Sequence, residues 1–99
     1  MDPISTAFSV VEGIVKAVAL AKAAGMLGGS SVWVDYATDL ASVVGNFKGF
    51  VLTMINDPAE YDRIATLPQV AQEAEIRRRL YPEGWAAKEA RIRGEQGAP

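Results

Sequence analysis

Cysteine and histidine are both absent from the 99 residues. With them go disulfides, thiolate nucleophiles, Cys/His metal sites, Ser-His-Asp triads and the ordinary general base near neutral pH. No phosphate-cradling loop is present either, because Gly28-Gly29 lacks both the GxxxxGK[ST] spacing and a preceding strand. Catalysis would have to rest on carboxylates, lysine or tyrosine, and no pair of these is placed so as to mark a cleft. Asp35 and Asp39 lie one turn apart, but two carboxylates without further oxygen ligands make a poor Mg²⁺ or Ca²⁺ site. The expectation is therefore a protein that is not an enzyme, with no cofactor and no metal.

Charge of one sign is also missing. Ten Lys+Arg stand against twelve Asp+Glu, a net of −2, which neither directs the chain to nucleic acid nor opposes self-association. Arg77-Arg78-Arg79 could suggest phosphate contact, yet Glu73–Arg77 and Glu75–Arg79 are i,i+4 pairs that neutralise the cluster locally. Nucleic acid is not an expected partner. Asp2 precedes the first apolar stretch and the first base is Lys16, the reverse of a secretory leader, so no cleaved targeting segment is expected. On that reading the protein stays in its compartment of synthesis or enters a particle. Uncharged runs reach only about a dozen residues, short of the roughly twenty needed to span a bilayer. Glu12, Lys16 and Lys48 would each cost about 2.5 to 3.5 kcal/mol at its centre. Conventional spanning is not expected, while an amphipathic holin- or injection-channel-like pore remains an alternative.

What is present is apolar, at 49% hydrophobic against 22% charged residues, the balance of a folded globular chain. One domain of this mass would expose roughly 5,500 Å² when folded against about 15,400 Å² unfolded. Residues 3–25 carry Ile4, Phe8, Val11, Val15 and Val18 at alternating steps of four and three, an amphipathic helix with Pro3 in its first turn and Gly25 as its left-handed terminus. The segment Met26-Leu27-Gly28-Gly29-Ser30-Ser31 reads as a turn, with Ser30 or Ser31 as the next N-cap. From about 32 to 56, Trp33, Tyr36, Leu40, Val43, Phe47, Phe50 and Met54 form an a/d seam across three heptads. That period overrides the strand preference of the β-branched and aromatic residues.

Asn56-Asp57-Pro58-Ala59-Glu60 is a stop followed by a start, with Asp57 as N-cap and Pro58 in the first helical position. Thr66-Leu67-Pro68-Gln69 repeats the logic, opening a helix that Pro82 and Gly84 end after Tyr81. A last fragment covers 84–93. The expected organisation is an all-α chain: a long antiparallel hairpin over 1–57 with its Gly-rich turn at 26–31, short charged helices over 58–93 and a frayed tail at 94–99.

Both long helices also carry small residues every fourth position: Ser5, Ser9, Gly13, Ala17, Ala21 and Gly25, then Ala37, Ala41, Gly45, Gly49 and Thr53. Such rows make shallow grooves in which helices approach closely. Seam and groove lie on different faces of the second helix, so the first helix cannot cover both. Either residues 58–93 supply the missing cover or another protein does. The second reading, preferred on sequence because the C-terminal stripes are weak, makes Trp33, Tyr36, Leu40, Val43, Phe47 and Phe50, with Gly45 and Gly49, a protein interface. The chain is then a non-catalytic structural subunit of a homo- or hetero-oligomer such as a virion or secretion-type assembly. A monomeric helical adaptor for a protein partner is the further alternative.

Overall fold

The computed structural model describes residues 2–23, 25 and 30–97, with the side chains of 30–33 and 95–97 outside that description. Among the described residues five helices follow one another: α1 (Pro3–Ala23), α2 (Ser30–Asn56), α3 (Pro58–Ala65), α4 (Gln69–Leu80) and α5 (Trp85–Gly97). No strand occurs among the described residues. The chain is all-α, and its first two helices form the long antiparallel hairpin.

Proline and aspartate set the helix starts. Asp57 caps α3 by accepting from the Glu60 N–H at 3.1 Å, with Pro58 next to it in the first turn. The same dipeptide opens α1, where Asp2 Oδ1 accepts from the Ile4 N–H at 3.2 Å and Oδ2 from the Ser5 hydroxyl at 3.0 Å. Pro68 departs from the expected pattern: it is itself the N-cap of α4 and provides no side-chain bond. Gly25 follows α1 at φ +76°, and Gly84 turns the chain into α5 at φ +83°, both in the region where only glycine is unstrained. The expected turn at 26–31 falls largely outside the described residues, and α2 is already helical at Ser30. Of the tail expected to fray at 94–99, residues 94–97 form the end of α5, and 98–99 lie outside the described residues.

The interior is one layer of side chains between the hairpin and the three short helices, in two clusters. Near the termini of the hairpin, Ala7 and Val10 of α1 meet Phe50 and Met54 of α2, and Ile64, Ile76 and Leu80 close over them. Toward the hairpin turn, Ile14, Val18 and Ala21 meet Tyr36 and Val43 beneath Trp85 and Ile92. Tyr81 packs against both clusters. The accessible surface is 5952 Å², close to the size expectation, although the molecule measures 45 × 28 × 18 Å along its axes. Residues 58–97 therefore do what sequence periodicity alone left open: they dock along one side of the rods and complete their core.

Buried polar groups fix the register of that docking. The Thr6 hydroxyl donates to Gln72 Oε1 at 2.5 Å, and Gln72 Nε2 donates to the Ile64 carbonyl at 2.9 Å, joining α1, α3 and α4 inside the core. Asn46 Nδ2 donates to the Leu80 carbonyl at 3.0 Å, satisfying an acceptor at the end of α4. The Tyr61 hydroxyl reaches Asp2 Oδ1 at 3.0 Å and ties α3 to the start of α1.

Candidate functional site

The seam of α2 expected to face a partner faces inward. Tyr36, Val43 and Phe50 are buried, and Leu40 and Phe47 are half-buried against the two clusters. The side chain of Trp33 lies outside the described residues. The expected interface is thus corrected for this seam, because α1 and α3–α5 together cover it. The physical cause is Trp85: fully buried, it meets Tyr36 edge-on at 5.9 Å and Tyr81 at 6.5 Å, so one large side chain replaces the apolar stripe that α5 lacks.

Gly45 and Gly49 are exposed, and a Cβ added at either would meet no atom within 4 Å. They sit on an outward face of α2 that carries far more than small residues. Val34 (59% exposed), Val44 (59%), Leu52 (50%) and Ile55 (64%) are among the large apolar side chains left in water. Ala37 and Ala41 lie among them on the same face, and Lys48 is its one charge. Residues 34, 41, 48 and 55 recur every seven positions, with 37, 44, 45 and 52 beside them, so α2 has a second heptad-like stripe opposite the first. This recurrence stands in the sequence but is masked by the stronger aromatic signal. The stripe extends about 32 Å at 1.5 Å per residue.

A second concavity follows the small residues of α1. Gly13 is shared by two adjoining hollows of about 170 and about 260 Å³, lined by α1 and α5, with Glu73 and Arg77 of α4 and the following Tyr81 at the first. Glu89 and Arg93, an i,i+4 ion pair, stand at both. Burial pushes the Tyr81 hydroxyl above its usual pKa, and the nearby Glu89 carboxylate adds to the rise.

Elsewhere the charged side chains hold the fold. Glu60, Arg63, Glu75 and Arg79 form a closed ring across α3 and α4, with Glu60 2.6 Å from Arg63 and 2.5 Å from Arg79. Hydrogen bonds from Arg63 and then Arg79 bring the Glu60 carboxyl down to about 2, and Arg63 pushes Glu75 down as well. Arg79 also lies 5.7 Å from the centre of the Phe50 ring, covering the first cluster. Arg77 lies 3.5 Å from Glu73, so two members of the arginine run are engaged by carboxylates. Lys88 Nζ sits between Asp35, at 2.7 Å, and Asp39, filling the place where a cation would lie between the two aspartates. Burial alone would lower the Lys88 pKa, but hydrogen bonds to the two carboxylates outweigh it and raise it. Among the described residues no three metal-ligating side chains come together.

By length and composition α1 is the one described helix able to cross a membrane, and a third of its most apolar stretch is buried in the protein. Comparison with known proteins gives no match: no known family, no curated protein and no solved structure matches the chain.

Proposed function

We propose that the protein is a non-catalytic assembly subunit that packs against other subunits by helix–helix contact through the outward face of α2. The observation supporting this reading is the stripe Val34–Val44–Leu52–Ile55, left half or more exposed although the inner seam of the same helix is already covered. A surface helix of a self-sufficient bundle carries one apolar face, and a second one with a single charge is a surface suited to a partner. The contact residues move accordingly from the inner seam to Val34, Ala37, Ala41, Val44, Gly45, Leu52 and Ile55, with Gly49 at the edge. A repetitive particle or secretion-type apparatus is the kind of assembly such a short, catalytically inert rod suits.

The test is a photo-crosslinking amino acid placed at position 44 in the cells that make the protein. Position 70 on α4 is the control, since Val70 is equally apolar and 82% exposed but lies off the stripe. A discrete adduct at 44, to another copy or to one other protein, is expected, with none at 70. Equal, diffuse labelling at both positions refutes the assembly reading.

The length and hydropathy of α1 favour a second reading, a membrane-active protein whose rods open onto a bilayer. An absence of vesicle leakage with the wild-type protein excludes it, and leakage that persists in a variant whose α1 is crosslinked to α4 excludes opening of the rods as its cause, because that variant cannot open.

A further inference from the structure

We propose that the outward stripe of α2 pairs with the α2 of a second copy of this chain, antiparallel, about a twofold axis passing between Val44 and Gly45. The inference rests on the assembly reading and specifies its partner and its register.

The residues of the stripe are complementary to their own reversal. With the axis at that point, Val34 is level with Ile55, Ala37 with Leu52 and Ala41 with Lys48 of the partner copy, each pair occurring twice by symmetry, while at the axis itself Val44 meets Val44 and Gly45 meets Gly45. Leu52 fills the space above Ala37, and the Lys48 stem lies along Ala41 with its ammonium reaching water. The outermost level sets Val34 beside Ile55. Gly45 offers the close approach this needs, since the space above its Cα is empty in the single chain.

A parallel, in-register pair has none of these properties. It would place Lys48 beside Lys48 and Leu52 beside Leu52, repulsion at one level and crowding at the next. In the antiparallel pair the two Lys48 positions are about 10 Å apart along the axis, near one screening length at physiological salt. The helix dipoles also oppose one another, which is the favourable arrangement.

Area agrees with a reversible contact. The exposed parts of Val34, Val44, Leu52 and Ile55 amount to about 400 Å² per chain, about half the roughly 800 Å² per partner of a standard complex. A concentration-dependent dimer follows rather than a permanent one.

The chain has no native cysteine, so register can be read by disulfides in the otherwise unaltered protein. Val34→Cys and Ile55→Cys chains are purified separately, mixed and oxidised, with Val70→Cys as the off-stripe control. Expected is a mixed Val34→Cys/Ile55→Cys dimer in about tenfold excess over the Val34→Cys homodimer, since the antiparallel register brings only the mixed pair within disulfide reach. Light scattering should show the wild-type mass doubling with concentration. Gly45→Leu, whose Cβ has room in the single chain, should keep its helicity with a melting temperature no lower than the wild type, while shifting dimerisation to at least tenfold higher concentration by overpacking at the axis. Predominant Val34→Cys homodimers overturn the register and leave the assembly reading standing. A monomer at every concentration, with crosslinking no greater than at position 70, overturns self-pairing, and the fate of the assembly reading is then decided by the adduct formed at position 44.

Discussion

Replacing Trp85 by phenylalanine should change the stability very little, although Trp85 is the largest fully buried side chain among the described residues. Two opposing effects are involved. The smaller ring leaves a void of about 40 Å³, which at about 24 cal/mol per Å³ costs about 1 kcal/mol. Lost transfer of the missing ring atoms adds about 1 kcal/mol. Against this, the Trp85 Nε1–H is buried with no hydrogen-bond partner among the described residues, a condition that costs about 1 to 3 kcal/mol and that phenylalanine removes. The edge-on packing on Tyr36 and Tyr81 survives, because it needs only an aromatic ring. The net change should lie within about 1 kcal/mol of zero, whereas Trp85→Ala should cost about 3 to 5 kcal/mol, a large share of the 5 to 15 kcal/mol typical of a whole domain. Urea unfolding followed by circular dichroism at 222 nm measures both, with unchanged slopes confirming a common unfolded state. A loss above about 3 kcal/mol for Trp85→Phe would refute the reasoning, since it would mean that the indole N–H has a partner whose loss is felt.

Other expectations follow from the same structure. Gln72→Leu should destabilise the protein by only about 1 kcal/mol, because the Thr6 hydroxyl can still donate to the Asp2 carbonyl at 3.2 Å and the Ile64 carbonyl still accepts from the Leu67 N–H at 3.1 Å, and a double-mutant cycle with Thr6→Val in urea would measure the coupling that is lost. Glu60 has its folded pKa depressed, so its ion-pair contribution is complete above the ordinary glutamate value of about 4.5 and disappears as pH falls from there toward about 2. Over that window the melting temperature of the wild type should fall more steeply than that of Glu60→Gln. Gly49→Ala should raise stability by about 0.5 to 1 kcal/mol, because the added methyl meets nothing and stiffens only the unfolded chain. At Gly25, where φ is +76°, the same change should lower stability by about 1 kcal/mol.

The helices and their starts were legible because they depend on local chemistry. Asp57-Pro58 and the heptad spacing of Tyr36, Val43 and Phe50 need no knowledge of distant residues. What covers that seam was not legible, because α5 contributes a single tryptophan and Ile92 rather than a stripe, and periodicity is blind to one large residue at the right height. The Thr6–Gln72 contact spans the chain and leaves no mark in any local window. The i,i+4 pairs of α4 were visible, whereas Glu60 joining Arg79 across two helices was not. The second stripe of α2 stands in the sequence at sevenfold spacing, but its small residues by themselves mark only a packing groove, and nothing local shows that Val34, Val44, Leu52 and Ile55 stay uncovered beside them.

The position of Trp85 and Ile92 in the upper cluster also bears on how the chain emerges during synthesis. Ile14, Val18, Tyr36 and Val43 are in water as soon as the hairpin leaves the ribosome, and nothing can close over them until the last helix has followed. At 5 to 20 residues per second the delay between the end of α2 and Ile92 is about 2 to 7 s. During those seconds the nascent rods have every reason to bind a chaperone, or one another.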